Sequence, residues 1–271
     1  MSNKVIRVFA KRTSMTPGDD YAFVGDPPLI RPVADEVHIS CAFTWDIPKA
    51  TRLVSAWRQY YPIVKVGGPA LGSPVNGFIP GLYIKRGVIF TSRGCNNQCP
   101  WCLVYREGKL LELPITEGNI VQDNNLLQCS KLHIAKVFEM LRAQGKIQLS
   151  GGLDSTRITT DIAEQIRSLR ISQIFLAADT KQALKPLERA IKRLNLPRDK
   201  VRCYALLAFN GESMSDCEER LETIWELGAM PFAQLYQPPD KWIKYPKDWR
   251  DLARRWSRPA AMKAFMRSAD L

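Results

Sequence analysis

Alternating apolar and polar positions indicate strands in the first 80 residues, with one helical pattern among them. Apolar residues alternate with polar ones over 5–9 and 36–42, and they recur at helical spacing over 49–60. A short apolar run at 63–66 ends in a Gly-Gly-Pro turn at 67–69. Strand, helix and strand in this order predict one βαβ unit.

From residue 87 the chain alternates regularly between short apolar runs and amphipathic helices. The apolar runs predict strands at 87–92, 147–150, 173–178, 201–209 and 230–236. The helical patterns cover 130–144, 155–169, 182–194 and 213–227. Helices between strands imply right-handed crossovers and a parallel sheet. We therefore predict an α/β fold, in which a partial parallel (β/α) barrel follows a small N-terminal α/β lobe.

Glycine, proline and charge divide the chain into three predicted regions. Residues 70–86 are rich in Gly and Pro, which is typical of a linker. We assign residues 1–80 to the small lobe and its linker, 87–240 to the barrel, and 241–271 to a basic, Trp-rich helical tail. Catalytic groups of a parallel sheet belong at the carboxyl ends of its strands, and each motif described below follows a predicted strand.

Three of the seven cysteines fall on one short loop after the predicted strand 87–92. Cys95, Cys99 and Cys102 have the spacing C-x3-C-x2-C. Soft thiolate ligands select Zn, Cu(I) or an iron-sulfur cluster. Structural zinc usually has four protein ligands, and no fourth Cys or His is close, since the only histidines are His38 and His133. Three thiolates on a four-iron cluster would instead leave one iron open.

The segment C-x3-C-x-W-C, with Trp101 as its aromatic residue, resembles the signature of the radical S-adenosylmethionine (radical SAM) superfamily. The resemblance implies that the three cysteines hold a 4Fe-4S cluster whose open iron chelates the amino and carboxylate groups of SAM. One electron then splits SAM into methionine and a 5'-deoxyadenosyl radical, which implies an external electron donor such as flavodoxin or ferredoxin. The resemblance places Trp101 near the adenine, and core packing is the alternative.

A glycine and acid motif follows the second predicted barrel strand. Gly151-Gly152-Leu153-Asp154 resembles the GGE motif of the superfamily, which implies that Gly151, Gly152 and Asp154 bind the SAM amino group. Glycines let a backbone approach a ligand closely, and a carboxylate pairs with an ammonium. In this chain the acid comes one residue later and is Asp instead of Glu. The alternative role of Asp154 is to cap the next helix.

Two further strand ends carry polar residues that the resemblance connects to SAM. Asp179 is expected at the ribose hydroxyls, with a helix cap as the alternative, and Asn210 lies in a turn that resembles the G-x-P-G-E-T turn of radical SAM methylthiotransferases. The barrel resembles that of these enzymes and of cobalamin-type members, although we predict four or five strands against the usual six. The D-x-H-x-x-G motif of cobalamin-binding domains is absent, so we expect no cobalamin.

The loop 103–130 is too long for a simple connection in a compact domain, and it lies beside the predicted active face. Its polar and thiol side chains are candidates for SAM binding or for the substrate pocket. These candidates are Arg106, Glu107, Asp123, Asn124, Asn125 and Cys129.

The net charge of +12 is unevenly distributed. Residues 241–271 carry nine Lys or Arg against three Asp, which is half of the net charge. Trp242, Trp249 and Trp256 recur every seven residues among these cations. One interpretation is that the tryptophans pack on the barrel. The other is that the tryptophans and cations of this tail guide RNA or DNA to the active site, with the tryptophans stacking on bases.

Targeting signals and a disulfide framework are not indicated. The chain has no apolar stretch of the roughly 18 to 20 residues that a membrane span needs, and its start lacks the apolar centre of a signal peptide. Seven cysteines, an odd number, argue against a secreted disulfide framework. We expect a cytoplasmic enzyme, without membrane contact, that acts on a nucleic-acid base, a peptide or a small metabolite. The alternative is a non-catalytic, metal-bound nucleic-acid-binding protein, and the sequence does not indicate the oligomeric state.

Overall fold

The computed structural model describes residues 4–72, 79, 81–104, 108–238 and 241–269. The chain forms two compact units, residues 1–88 and 89–271. Arg106 and Glu107, two of the candidates in the long loop, lie outside the described residues. None of the described helices is long and apolar enough to cross a membrane.

The first unit contains a parallel sheet of four strands and one helix. The strands are β1 (Val5–Phe9), β2 (Ala22–Val24), β3 (Glu36–Ser40) and β4 (Val64–Gly67). Their order is β2-β1-β3-β4, and α1 (Ile47–Arg58) connects β3 to β4. Leu53 and Trp57 of α1 are buried with Ile6 and Ile39 of the sheet. Strand β2 was missed by the sequence pattern because three half-buried residues are too few to show an alternation.

The second unit contains a six-stranded sheet. Its strands are β5 (Val88–Ile89), at the start of the unit, β8 (Ile120–Val121), β9 (Ile147–Leu149), β10 (Ile171–Ala177), β11 (Val201–Leu207) and β12 (Met230–Leu235). The order is β12-β11-β10-β9-β8-β5, and the pairs from β8 to β12 are parallel. Strands β6 (Ser92–Arg93) and β7 (Leu111–Glu112) form a separate antiparallel pair.

Four helices connect the parallel strands in sequence. They are α2 (Lys131–Arg142), α3 (Thr160–Arg167), α4 (Leu184–Leu194) and α5 (Met214–Glu226). This alternation of strands and helices confirms the predicted α/β fold with a partial parallel barrel. The predicted count of four or five barrel strands was too low, because the two-residue strand β8 lies within the predicted loop 103–130 and is too short to leave a pattern.

Polar side chains decide where the first two of these helices begin. Ser130 Oγ accepts the backbone N–H three residues later at 3.2 Å, so α2 begins where predicted. The helix predicted from residue 155 begins later. Asp154 caps a short 3-10 turn at Ser155–Arg157, and Thr159 then caps α3.

The C-terminal tail forms two helices, α6 (Lys247–Ser257) and α7 (Pro259–Ala269). Trp256 is completely buried in the hydrophobic core of the second unit, and Trp249 packs against the same core. Trp242 precedes α6 and is 60% exposed. The sevenfold spacing therefore does not place three tryptophans on one exposed face.

Candidate functional site

The cysteine loop follows β6 and carries three free thiols. Cys95, Cys99 and Cys102 are each half-buried and none is in a disulfide. The backbone N–H of Cys102 donates to the carbonyl of Cys99 at 3.0 Å, so the second half of the motif is a tight turn. In the described part of the chain, no group of three or more His, Cys, Asp or Glu side chains is arranged to hold a metal ion.

The chemistry of the three thiols nevertheless fits an iron-sulfur cluster. Burial raises the pKa of the Cys99 thiol, and the negative charges of Cys102, Asp179 and Cys95 raise it further. Thiolates that repel one another are stabilised by a cationic centre, which iron provides. Ligation by these cysteines stays a prediction.

A buried carboxylate anchors the residues that lead into the cysteine loop. Asp123, which follows β8, is 2% exposed. Its Oδ1 accepts the backbone N–H of Thr91 at 2.6 Å, and its Oδ2 accepts the hydroxyls of Thr91 and Ser92 at 2.5 and 2.8 Å. Three charge-assisted hydrogen bonds satisfy this buried carboxylate and fix the course of the chain before the first cysteine.

Three amide side chains from the loop after β8 hold the cysteine loop itself, and we call Asn124, Asn125 and Gln128 the amide clasp. Asn124 Oδ1 accepts the backbone N–H of Gly94 at 3.1 Å. Asn125 Nδ2 donates to Cys95 Sγ at 3.8 Å. The clasp therefore contacts both the backbone of the loop and the sulfur of its first cysteine.

Gln128 contacts the two residues that follow Cys95. Its Oε1 accepts the backbone N–H of Asn96 at 2.8 Å, and its Nε2 donates to Asn97 Oδ1 at 2.8 Å. Cys95 Sγ also lies 3.5 Å from Gln128 Oε1. The residues between the first two cysteines are thus held by specific side chains and not only by the turns of their own backbone.

The two glycines after β9 allow close packing around the site. A Cβ on Gly151 would lie 1.7 Å from the carbonyl oxygen of Asp123, so only glycine fits there. Gly152 has a φ of +96°, and the Tyr204 ring lies 3.8 Å from the position of an added Cβ. The Tyr204 hydroxyl donates to the carbonyl of Ser150 at 2.9 Å. The glycine motif therefore packs against the Asp123 carbonyl at Gly151 and against the Tyr204 ring at Gly152.

Asp154 contacts both the turn that follows it and the cysteine loop. Its Oδ1 accepts the backbone N–H and the hydroxyl of Thr156 at 3.0 and 2.6 Å, which is the alternative capping role. Its Oδ2 accepts Asn97 Nδ2 at 3.4 Å, with Arg157 Nε 3.7 Å away. One carboxylate oxygen caps the turn, and the other faces the residues between Cys95 and Cys99.

Asp179 is largely buried and lies close to Trp101. Its Oδ1 accepts the backbone N–H of Leu206 at 2.9 Å, and its pKa reflects a second, weaker hydrogen bond from the Trp101 side chain. Burial raises the pKa of Asp179 and is the largest effect, whereas these two hydrogen bonds and the charge of Arg220 lower it. Asp179, which was predicted to contact the ribose, therefore lies next to Trp101, which was predicted to contact the adenine.

A buried arginine stabilises the strand ends on either side of Asp179. Arg220 of α5 is completely buried. It donates to the carbonyls of Ala178 and Leu206 at 3.0 and 2.7 Å, and it pairs with Glu212 at 2.7 Å. Because these carbonyls lie at the ends of β10 and β11, Arg220 fixes the two strands that position Asp179.

The turn after β11 has unusual backbone geometry. Ala208 and Asn210 have φ values of 60° and 53°, in the left-handed region that non-glycine residues rarely adopt. Phe209 between them packs edge-on against Trp101, with ring centroids 5.4 Å apart. The residue that this turn places against the cysteine loop is therefore Phe209, and a contact of Asn210 with SAM stays a prediction.

The loop after β8 supplies more of the site than its individual residue types indicated. Asp123, Asn124 and Asn125 were candidates, whereas Gln128 was missed. The available signal was a polar run directly after two apolar residues, which is the pattern of a strand end followed by a functional loop. Cys129, the other candidate, is 8% exposed, and burial raises its pKa.

Comparisons with known proteins give a match at the level of structure. No protein-family model matches the chain, and no curated protein matches it. Among solved structures, the chain is similar to the radical S-adenosylmethionine methyltransferase TsrM from Kitasatospora setae, with cobalamin and a [4Fe-4S] cluster bound. The TM-score is 0.57 at 10% sequence identity, over 87% of this chain and 75% of that one. The chain has a radical SAM fold.

A second structure of TsrM, with the tryptophan substrate and the SAM analogue aza-SAM bound, gives the same TM-score and identity. That match covers 87% of this chain and 73% of the TsrM chain. Both matches confirm the resemblance predicted from the cysteine motif at the level of the fold. At 10% identity, the radical SAM fold does not by itself identify a cofactor or substrate of this chain.

Proposed function

We propose that this protein is a radical SAM enzyme whose cysteine loop holds a 4Fe-4S cluster, with SAM bound at the adjoining strand ends. The observation that carries the proposal is the linkage of the cysteine loop to two strand ends. Asn97 contacts Asp154 after β9, and Trp101 contacts Asp179 after β10. A loop that only stapled the fold through a metal would need no such links to a glycine and acid motif.

The side chains around the loop are suited to bind and orient SAM. When bound, the cluster and SAM supply one-electron chemistry that generates a 5'-deoxyadenosyl radical. Asp154 Oδ2, which accepts a hydrogen bond from Asn97, is the carboxylate oxygen that would pair with the SAM amino group. The positive φ of Gly152 would direct the backbone around the SAM amino group, and the aromatic ring of Trp101 would contact the adenine.

An aromatic cluster lines the face of the sheet that does not carry the helix-packed core. Phe175, Tyr204 and Phe232 are half-buried, with ring centroids 4.8 to 6.2 Å apart. They alternate along their strands with core residues such as Leu176 and Ala205. An apolar lining of this kind would exclude water, so that a radical abstracts hydrogen from a bound substrate and not from solvent.

Anaerobic reconstitution with iron and sulfide tests the proposal. The protein is expected to bind about four irons per chain and, with a strong reductant and SAM, to release 5'-deoxyadenosine. Cys95→Ala, Cys99→Ala and Cys102→Ala are each expected to lose the cluster absorbance and this release. Cys203→Ala, which removes a buried cysteine of β11, is the matched control and should retain both. A full cluster with SAM cleavage in Cys99→Ala would contradict the assignment.

The same preparation distinguishes the alternative function and tests the partners. Zinc in place of iron would favour a non-catalytic, metal-bound nucleic-acid-binding protein. We propose flavodoxin or ferredoxin as the class of electron donor, and reduction of the cluster by either one is the test. A nucleic-acid base, a peptide and a small metabolite all stay open as substrates. A nucleic acid is proposed because Arg250, Arg254 and Arg258 are exposed on and next to α6.

A further inference from the structure

The Sγ atom of Cys95 lies next to two N–H donors and one acceptor, Gln128 Oε1, which is 3.5 Å from it. The backbone N–H of Asn97 is 3.4 Å from it, and Nδ2 of Asn125 is 3.8 Å from it. Asn125 is 5% exposed, and its Oδ1 has no hydrogen-bond partner among the described residues. Burying an amide whose carbonyl is unsatisfied costs free energy. A buried amide with an unsatisfied carbonyl, in contact with a candidate ligand sulfur, indicates a role at that sulfur.

The chemistry of a metal-bound thiolate decides which end of the Asn125 amide faces Cys95. A thiolate accepts hydrogen bonds and has no proton to donate. The NH2 end of the Asn125 amide therefore stabilises its negative charge. The carbonyl oxygen of Gln128, 3.5 Å from the same sulfur, accepts a hydrogen bond only from the protonated thiol of the metal-free protein. The neighbouring residue Asn124 presents its carbonyl instead, because its partner is the backbone N–H of Gly94. Asn125 thus directs its NH2 end to Cys95, whereas Asn124 directs its carbonyl oxygen to the backbone of Gly94.

We propose that Asn125 raises the reduction potential of the cluster by donating its side-chain amide to Cys95 Sγ. This inference rests on the proposed function, since it requires a cluster on Cys95. In the reduction, one electron passes from a low-potential donor such as dithionite to the cluster, and no bond is formed or broken. The added negative charge is shared by the ligand sulfurs, so an N–H donor stabilises the reduced form more than the oxidised form.

The surroundings of Asn125 strengthen this effect. Asn125 is 5% exposed, so its amide is largely shielded from water. A hydrogen bond is electrostatically stronger in a medium of low dielectric constant, and water cannot readily replace a donor that is removed there. Asn125 is therefore a positioning and tuning residue that acts through Cys95 and not a residue that contacts the substrate.

Redox titration of the reconstituted protein, followed by electron paramagnetic resonance, tests the inference. The variants are Asn125→Leu and Asn125→Ala, which remove the donor, and the matched control is Asn124→Leu, which removes an amide that, among the described residues, hydrogen-bonds to the backbone of Gly94 and not to a sulfur. At a fixed potential, the ratio of reduced to oxidised cluster is expected to fall about tenfold in both Asn125 variants, which is 59 mV for a one-electron couple. The control is expected to stay within about twofold of the wild type.

Iron content and cluster absorbance, measured first, separate the possible outcomes. A wild-type ratio in an Asn125 variant that holds a full cluster would overturn the inference and leave the proposed function intact. An equal shift in Asn124→Leu would assign the effect to distortion of the loop and would also overturn it. Loss of the cluster in both Asn125 variants alone would assign the residue to cluster assembly instead of tuning. A wild-type protein without a cluster would overturn the proposed function and this inference together.

Discussion

The side chain of Trp101 lies close to the carboxylate of Asp179 and lowers its pKa, and this proximity links the cysteine loop to the end of β10. The same carboxylate accepts the backbone N–H of Leu206 in β11 at 2.9 Å. One largely buried side chain therefore connects three segments of the candidate site. Asp179 is therefore placed to orient the Trp101 ring.

Removing the indole donor tests this connection. Trp101→Phe keeps an aromatic ring next to Phe209 but leaves the Asp179 carboxylate without the nearby indole N–H. The free energy of unfolding of the metal-free protein in urea is expected to fall by about 1 to 3 kcal/mol. Trp101→Phe should cost less free energy of unfolding in an Asp179→Asn background than in the wild type, because a neutral amide tolerates a missing donor better than a carboxylate does. Strictly additive effects of the two substitutions would show that the side chains do not interact.

The ionisation of Asp179 predicts a dependence of stability on pH. Burial raises the pKa of Asp179 above the ordinary value of 3.8, so the folded state favours the protonated carboxyl. The corresponding stabilisation is present below the ordinary pKa and is lost as the pH rises through the raised one. The metal-free Asp179→Asn variant should therefore gain stability relative to wild type with rising pH. Asp199→Asn, which changes an exposed aspartate, is the control, and parallel curves for Asp179→Asn and wild type would contradict the prediction.

Local signals in the sequence were sufficient for much of the fold, but the site depends on contacts between distant segments. Ser130 followed by an apolar periodicity specifies the start of α2, because capping acts within one helical turn. By contrast, β8 forms because Ile120 and Val121 lie between β9 and β5 in the sheet, and two residues carry no periodicity. The contact of Asn125 with Cys95 is equally invisible, since it spans 30 residues and depends on the loop after β8 lying beside the cysteine loop.

The carboxylate of Asp154 is expected to contribute to SAM binding. Asp154→Asn retains an oxygen that accepts from Thr156 but removes the negative charge. Loss of one charge-assisted hydrogen bond costs about 1.5 to 3 kcal/mol, so the affinity of the reconstituted protein for SAM should fall by about ten- to a hundredfold with the iron content unchanged. Thr156→Val, which removes only the hydroxyl on the capping side, should bind SAM as the wild type does. Equal affinities of Asp154→Asn and wild type would move the amino-group contact elsewhere.

Arg220 is expected to be essential to the stability of the barrel end. Arg220→Met would remove the partner of Glu212 and leave the carbonyls of Ala178 and Leu206 without this donor. Breaking a buried pair of this kind typically costs about 3 to 5 kcal/mol, measurable as a shift in the urea unfolding curve. Arg220→Lys keeps the charge but not the planar fork, so it should recover only part of the loss. A shift below about 1 kcal/mol for Arg220→Met would show that the network is replaceable by water.

Not every cation of the tail is available to bind a nucleic acid. Arg255 pairs with Glu218 at 2.8 Å and lies over the ring of Phe265 at 4.4 Å, so it serves the packing of α6. Trp256 is buried. We propose the exposed Arg250, Arg254 and Arg258 as the contact surface, with Arg254 also 3.5 Å from Asp251.

Salt dependence is the measurement that decides whether this surface binds nucleic acid. Each cation that neutralises a phosphate of a single strand contributes about −0.7 to the slope of log affinity against log salt. Changing Arg250, Arg254 and Arg258 to Gln should therefore make the slope for single-stranded RNA less negative by about 2 units. The control changes Lys131, Lys136 and Arg142, which are exposed on α2, to Gln and removes the same charge at another place. If both triple variants lose the same slope, binding follows the net charge and not the tail. If neither variant nor the wild type binds RNA at low salt, a peptide or a small metabolite becomes the better candidate for the substrate.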